Sequence, residues 1–144
     1  MDVFINGSKY PVTETKRIKA EMDGLFLWIV TERDKLHPVT FAAQLHKSFV
    51  LIHPFKDGNG RIARLIMNMA LIQDRYLLAV IPPVLRDEYI ELLEKAHRDD
   101  KSFEQFIAER VIESQKEIMR LLHIPLQRLP FLRTLPRSSS LPNL

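Results

Sequence analysis

The sequence predicts an all-α domain that carries one short β-hairpin at its N-terminus. Two observations lead to this prediction. Apolar residues recur at three- and four-residue spacing through most of the chain, which is the period of an amphipathic helix. The first twelve residues differ, because two short β-prone runs flank the dipeptide Asn6-Gly7.

The hairpin is predicted over residues 1–12. An Asn-Gly dipeptide tolerates the positive φ angles of a two-residue hairpin turn, and residues 3–5 and 10–12 supply the strands. An exposed edge of this hairpin could pair with an extended segment of another protein. A strand edge that only covers the core is an equally good interpretation.

Three helices are predicted next. The first follows a cap at Thr13 or Thr15 and ends at the charged segment 32–35. The second begins near Pro38 and is apolar on most sides, so it is expected at the centre of the domain. The third covers residues 61–74. The residues expected to face inward are Ile18, Met22, Leu25, Phe26 and Ile29, then Val39, Ala42, Ala43, His46, Phe49 and Val50, then Ile62, Leu65, Ile66, Met69 and Ile72.

Two amphipathic helices, at about 84–97 and 101–123, follow a break at Pro82-Pro83. Residues 124–144 are rich in Pro, Arg and Ser and are predicted to form a tail, because repeated prolines exclude a regular helix. The chain is therefore divided into a domain at 1–123 and a tail. The inward residues of the last two helices are Tyr89, Leu92, Leu93, Ala96, Phe103, Phe106, Ile107, Val111, Ile118 and Leu121.

Composition excludes several classes of protein. The chain has no cysteine, so disulfides, thiolate zinc sites and a cysteine nucleophile are excluded. No apolar run reaches the length of about 18 residues that spans a bilayer, and the N-terminus does not resemble a signal peptide. We therefore expect a cytoplasmic protein with no membrane partner. A net charge of +3 is too modest to indicate nucleic-acid binding.

The segment that indicates chemistry lies between the second and third helices. Within segment 57–60, Gly58 and Gly60 let backbone N–H groups converge at a helix N-terminus, where an anion is favoured. Arg61 and Arg64 are three residues apart, share one helix face and can each bind phosphate oxygens. Asp57 would repel phosphate unless Mg²⁺ lies between them, and His53 can accept a proton near neutral pH. The segment therefore predicts a site for nucleotide-phosphate transfer.

Each of these features also has a purely structural explanation. Residues 57–60 could form a simple turn, His53 could belong to the core, and Arg64 could make a surface ion pair. A structural turn does not need all of these features together, so we favour the functional interpretation.

Residues 53–64 read HPFKDGNGRIAR and resemble the signature HxFx(D/E)GNGRxxR of the Fic family of protein adenylyltransferases. Every fixed position of the signature is filled. The similarity extends from the hairpin, the family's target-positioning flap, through residues 36–39 to the helix that ends near His123. It does not include the tail.

The resemblance implies a reaction. His53 would be the general base that deprotonates a Ser, Thr or Tyr hydroxyl of a target protein, which then attacks the α-phosphate of ATP and expels pyrophosphate. Asp57 would bind the Mg²⁺ that contacts the α- and β-phosphates. ATP and Mg²⁺ are therefore the expected substrate and metal.

The resemblance also assigns the residues that bind the phosphates. Gly58, Asn59 and Gly60 would form the anion hole, with the Asn59 amide also reaching phosphate. Arg61 and Arg64 would hold the β- and γ-phosphates.

Three further positions follow from the resemblance. Phe55 is expected to anchor the loop in the core rather than to take part in the chemistry. Tyr89 resembles a position near the nucleotide base, and a core or interface role for it is equally open. His97 falls near a position where relatives carry an asparagine that contacts the nucleotide.

Many Fic proteins are inhibited by a helix with the motif (S/T)xxxE(G/N), whose glutamate pairs with the second arginine of the signature. The chain has no match to this motif. We expect Arg64 to be unguarded, unless an inhibitory segment or an antitoxin acts from a separate chain. The sequence leaves a homodimer open.

Two other functions compete with AMP transfer. Phosphoryl transfer occurs in the Doc branch of the superfamily, which typically has lysine where this chain has Gly60. A non-catalytic interaction module would use the hairpin and the tail as docking surfaces. The complete signature favours AMP transfer over both.

Overall fold

A computed structural model describes residues 13–125 of the chain, and within this range the regular structure is helical, with no strand. The α-helices are α1 (Ile18–Glu32), α2 (Pro38–Ile52), α3 (Asn59–Gln73), α4 (Arg86–Lys95) and α5 (Lys101–Leu121), and one 3₁₀ turn at Pro83–Leu85 leads into α4. The all-α prediction is confirmed for this part of the chain. The predicted hairpin at 1–12 and all but the first two residues of the predicted tail lie outside it, so the division into domain and tail stays a prediction.

Helix α2 is the centre of the domain, as the sequence predicts. It packs against α1, α3 and α5, and Trp28 of α1 stacks on Phe41 with 5.1 Å between ring centroids. A helix with neighbours on three sides needs apolar residues on most of its surface. Its buried residues are Val39, Phe41, Ala42, Ala43, Leu45, His46, Phe49, Val50 and Ile52.

The predicted inward face of α3 is wrong for three of its five residues. Leu65, Met69 and Ile72 are between 51% and 60% exposed, whereas the helix buries Asn59, Ala63, Met67, Ala70 and Leu71. The helix has apolar residues on two faces. The alanines on the buried face allow a closer approach to α2, because the distance between packed helices depends on the side chains at the contact. Phe26, Ile118 and Leu121 were also expected inward and are exposed.

The N-terminus of α1 also differs from the prediction. The helix begins at Ile18 after Arg17, and no side chain caps it, so neither Thr13 nor Thr15 has the predicted role. Thr13 instead hydrogen-bonds to the carbonyl of Leu51 through its backbone N–H at 3.2 Å and its hydroxyl at 3.4 Å. It therefore attaches the start of the described segment to the last turn of α2.

Helix α2 begins at Pro38, as predicted, and His37 is its N-cap. The Nδ1 atom of His37 accepts a hydrogen bond from the Val39 N–H at 3.3 Å, so the neutral ring carries its proton on Nε2. Nε2 lies 3.3 Å from the hydroxyl of Tyr76, beyond the C-terminus of α3. One imidazole therefore caps α2 and contacts the segment after α3. Among residues 13–125, no helix is both long and apolar enough to cross a membrane.

We predict that His37→Ala lowers the free energy of unfolding by about 1 kcal/mol, because an N-cap acceptor is lost. His37→Asn is the matched control. It supplies a strong N-cap acceptor and should keep most of the stability. Urea denaturation of the two variants and the wild type measures the effect. An equal loss in both variants would show that the contact with Tyr76, rather than the cap, matters.

Candidate active site

The loop between α2 and α3 turns on two residues with left-handed backbone geometry. His53, the C-cap of α2, has a φ of 53° and still donates its N–H to the Phe49 carbonyl. Gly58, the N-cap of α3, has a φ of 84°. Glycine adopts this geometry freely, whereas a non-glycine residue adopts it at a cost of about 1–3 kcal/mol. The strained residue of the pair is the histidine of the signature.

Asn59 holds this loop closed. Its side chain is 2% exposed; its Oδ1 accepts from the Phe55 N–H at 2.9 Å, and its Nδ2 donates to the Phe55 carbonyl at 2.6 Å. Both ends of the side-chain amide are therefore occupied. These bonds use only one of the two N–H donors of Nδ2, so the expectation that the amide also reaches phosphate stays a prediction.

The first turn of α3 forms a concave group of backbone donors. The N–H groups of Asn59, Gly60 and Arg61 have no carbonyl partner within the helix, because the first intrahelical bond runs from Ile62 to Gly58. A β-carbon built on Gly60 would meet no protein atom within 4 Å. The donors therefore open onto free space at the positive end of a helix dipole, where an anion is favoured.

A cleft of about 580 Å³ opens at this turn, a volume typical of small-molecule sites. The α2–α3 junction forms one side and the segment 81–90 forms the other. The lining residues are Val50, His53, Lys56, Asp57, Gly58, Asn59, Gly60, Arg61, Arg64, Ile81, Pro82, Pro83, Arg86, Tyr89 and Ile90. Four of these side chains are cationic and one is a carboxylate, which favours a ligand with several negative charges.

Among the described residues, the one carboxylate that lines the cleft is paired. Asp57 accepts from the Gly58 N–H at 2.6 Å and from the Arg61 guanidinium at 3.1 Å. The side chains of this ion pair are 92% and 74% exposed, so the pair contributes little to stability. Arg64 donates to the Gly60 carbonyl at 3.2 Å, and within residues 13–125 it pairs with no carboxylate.

The inner end of the cleft contains Tyr89, which is 8% exposed. Its hydroxyl lies 3.4 Å from Nε2 of the fully buried His46. Burial, reinforced by the positive charge of Arg64, lowers the pKa of His46 to about 3. Burial raises the pKa of Tyr89 to about 12, and Arg64 opposes this shift. Both side chains are therefore neutral at physiological pH.

A profile described as the Fic/DOC family matches residues 2–71. The chain belongs to this family. It is 38% identical over 122 residues to the protein adenylyltransferase Fic of Nematostella vectensis, covering 78% of this chain and 27% of that protein. It is 43% identical over 84 residues to the protein of the same name in Drosophila mojavensis, covering 57% and 17%. The chain thus spans about a quarter or less of the length of these relatives.

Solved Fic structures share the fold. Residues 134–508 of Fic-1 from C. elegans superpose with a TM-score of 0.75 at 26% identity, covering 85% of this chain and 36% of that one. A Fic-domain signalling protein from Bacteroides thetaiotaomicron superposes with a TM-score of 0.60 at 31% identity, covering 79% and 46%. The five-helix arrangement is therefore that of a Fic domain.

The structure brings together nearly all of the residues predicted for the Fic site. The predicted set that lines the cleft is His53, Asp57, Gly58, Asn59, Gly60, Arg61, Arg64 and Tyr89. Phe55 does not line the cleft and is 51% exposed, so its predicted role as a core anchor is wrong. The backbone of Phe55, held by Asn59, is what fixes the loop. His97 is also absent from the lining.

Sequence reasoning missed three residues at or beneath the Fic cleft. Lys56 lies within the signature at a variable position. Arg86 lines the cleft one helical turn before Tyr89, and this spacing was the available signal. His46 lies two turns before His53 on α2 and was predicted only as a core residue. Its contact with Tyr89 joins residues 43 positions apart, and local periodicity does not report such a contact.

We predict that Asn59→Ala destabilises the domain by about 1–3 kcal/mol, because the Phe55 N–H and carbonyl lose their partners. Affinity for ATP should fall as well, since the donors of the first turn of α3 lose their fixed geometry. Chemical denaturation and calorimetric titration with ATP and Mg²⁺ measure the two effects.

Asn68→Ala is the matched control for this variant. The Asn68 side chain makes the same pair of hydrogen bonds, with the Ala79 N–H at 2.8 Å and its carbonyl at 3.4 Å, and it does not line the cleft. It should lose stability without losing ATP affinity. Equal affinity losses in the two variants would contradict a specific role for Asn59.

We predict that acid destabilises the domain through His46. Its pKa is about 3 in the fold against an ordinary value of 6.5, so the unfolded chain binds the extra proton between these values. Stability contributed by the neutral form is complete above pH 6.5 and falls as the pH falls, with a limiting slope of about 1.4 kcal/mol per pH unit. Tyr89, which contacts His46, stays neutral in this range because its pKa is raised to about 12, and Arg64 contributes the positive charge that reinforces the shift of the His46 pKa.

Urea denaturation between pH 6.5 and pH 4 tests this dependence. A His46→Gln variant cannot gain the proton, so its stability should depend less steeply on pH than that of the wild type. Identical slopes would show that His46 is not buried in its neutral form.

Proposed function

We propose that this chain transfers AMP from ATP to a Ser, Thr or Tyr hydroxyl of a target protein. The observation that supports the proposal is the cleft, whose lining includes His53, the first turn of α3 and the two arginines of the signature. The curated relatives named protein adenylyltransferase Fic support it.

The reaction needs one proton transfer and one displacement. The target hydroxyl loses its proton to His53, and its oxygen forms a bond to the α-phosphorus of ATP. The bond from this phosphorus to the bridging oxygen breaks, and pyrophosphate leaves. The donors of the α3 first turn stabilise the negative charge that develops on the phosphate oxygens, because they are already oriented toward the cleft.

Arg61 and Arg64 hold the β- and γ-phosphates in this proposal. Arg61 must first leave Asp57, and this exchange is easy because an exposed ion pair contributes only about 0.2–1 kcal/mol. Lys56 and Arg86 also line the cleft and add positive charge. The polyphosphate then takes the place of the Asp57 carboxylate beside Arg61 and also binds the other cations of the cleft.

Mg²⁺ is the metal that the site fits. Asp57 is the one carboxylate of the cleft, and residues 13–125 contain no group of three metal-ligating side chains. Mg²⁺ is commonly held by one or two carboxylates together with phosphate oxygens, so this donor set suits a metal that arrives with the nucleotide. The bound metal would neutralise charge on the phosphates, while Asp57, released from Arg61, would hold it in place.

A protein target is the proposed partner, docked on the predicted hairpin at 3–12. That segment lies outside the described residues, so the support comes from the resemblance alone. An inhibitory segment or antitoxin acting in trans remains part of the proposal, because Arg64 is exposed and carries no carboxylate partner in the described part of the chain.

The test is transfer of label to protein from ATP that is radioactive at either the α- or the γ-phosphate. The proposal predicts labelling from α-labelled ATP only. Transfer from γ-labelled ATP would indicate a phosphotransferase instead. His53→Ala should lower the rate by roughly a hundredfold or more, because the general base is lost.

His123→Ala is the control for the loss of a histidine. His123 follows α5 with a φ of 55°, close to that of His53, and it lies away from the cleft. Its variant should transfer AMP at the rate of the wild type. Full activity in His53→Ala would remove the base from the mechanism and favour the interaction module.

A further inference from the structure

The buried imidazole of His46 has no part in the proposed transfer, yet it contacts a residue of the cleft. Its ring meets the Tyr89 ring edge to face, with 5.7 Å between centroids, and packs 5.5 Å from the Phe103 ring. The Nε2 atom is 3.4 Å from the Tyr89 hydroxyl. The Nδ1 atom is buried and has no hydrogen-bond partner among residues 13–125. A polar ring in this apolar setting needs an explanation.

The unpartnered Nδ1 atom identifies the tautomer. If Tyr89 donated its proton to Nε2, the ring proton would sit on Nδ1 as a buried N–H without an acceptor. The other tautomer leaves only a lone pair without a partner. In folded proteins, orphaned N–H donors are rarer than under-satisfied acceptors. The neutral ring of His46 therefore carries its proton on Nε2 and donates it to the Tyr89 oxygen.

This direction of donation leaves the hydroxyl proton of Tyr89 available. His46 is the one hydrogen-bond partner of that hydroxyl among residues 13–125. Tyr89 lines the cleft together with Arg64, which the proposed function assigns to phosphate. A phosphate oxygen bound by Arg64 is therefore a suitable acceptor for the hydroxyl proton of Tyr89.

We propose that His46 is a positioning residue, which accepts no proton itself and makes the Tyr89 hydroxyl a hydrogen-bond donor to a phosphate oxygen of the bound nucleotide. The inference rests on the proposed function for the identity of the ligand, ATP. It adds a neutral donor beneath the two arginines. It also gives the buried histidine a role in binding rather than in proton transfer.

The test is the dissociation constant of ATP with Mg²⁺, measured by calorimetry. Tyr89→Phe removes the donor and keeps the ring, so it should weaken binding about tenfold or more, as expected for a hydrogen bond to a charged group. His46→Phe should weaken binding similarly, and the double variant should be no weaker than Tyr89→Phe alone. His46→Gln retains an N–H donor at similar reach and should bind ATP nearly as well as the wild type.

Tyr76→Phe is the matched control. Tyr76 and His37 form a second pair of the same kind, 3.3 Å apart with 5.9 Å between ring centroids, and neither residue lines the cleft. This variant should bind ATP with the affinity of the wild type. If Tyr76→Phe lost as much ATP affinity as Tyr89→Phe, the Tyr89 hydroxyl would act on ATP binding only through the stability of the fold, and the proposal would be overturned.

The tautomer is tested in the wild-type protein without nucleotide, so it does not depend on how the variants fold. Nitrogen-15 NMR of the histidine rings should show the His46 proton on Nε2, and a proton on Nδ1 would overturn the proposal. Unchanged ATP affinity in Tyr89→Phe would do the same. If the wild type binds ATP as predicted here but transfers no AMP, the proposed function fails and this inference stands.

Discussion

The two hydrogen bonds from the Asn59 amide to the backbone of Phe55 are the interaction on which the cleft depends. They join the first residue of α3 to the chain three residues after α2. Asn59 is buried, so breaking these bonds would leave buried polar groups with neither a protein partner nor water. With them in place, the first turn of α3 has one orientation relative to His53. One buried side chain thus fixes the loop between His53 and the first turn of α3.

The sequence was sufficient for much of the fold. Proline at the first position of α2 fixes φ in the helical range, and the Gly-rich segment 57–60 interrupts the helical pattern, so the starts of these helices could be predicted closely. The inward face of α3 could not, because the helix carries two apolar stripes and only the approach of α2 selects between them. Periodicity reports which residues share a face, and it does not report which face has a neighbour.

The residues of the candidate site could be predicted from the sequence, but their contacts could not. The signature supplied the residues that surround the anion, since their types and spacing follow from the chemistry of phosphate binding. It did not supply their contacts. The signature did not indicate that the Asn59 side chain holds the backbone of Phe55, and the ring of Phe55 was expected in the core but is exposed. Both outcomes depend on how the loop folds back on itself.

The charges of the cleft explain why the ion pair of Asp57 and Arg61 must break when a polyphosphate binds. In this structure Asp57 partly satisfies Arg61 and also accepts from the first N–H of the turn, so a carboxylate occupies part of the space suited to an anion. Because both side chains are largely exposed, the Coulomb attraction between them is weakened by water. A ligand with several negative charges can therefore displace the carboxylate from Arg61. In the proposed function, the displaced carboxylate would then hold the metal that accompanies the ligand.

Helix α2 connects the cleft to the buried core. It carries His46 and His53 two turns apart, the first fully buried and the second at its left-handed C-terminus. Neighbouring helices pack around α2 on three sides, so it cannot shift without moving the core. His46 and His53 therefore keep a constant separation, while the exposed side chains of Asp57 and Arg61 can exchange partners. The site combines a fixed backbone, built on α2 and on the loop that Asn59 holds, with exposed charged side chains.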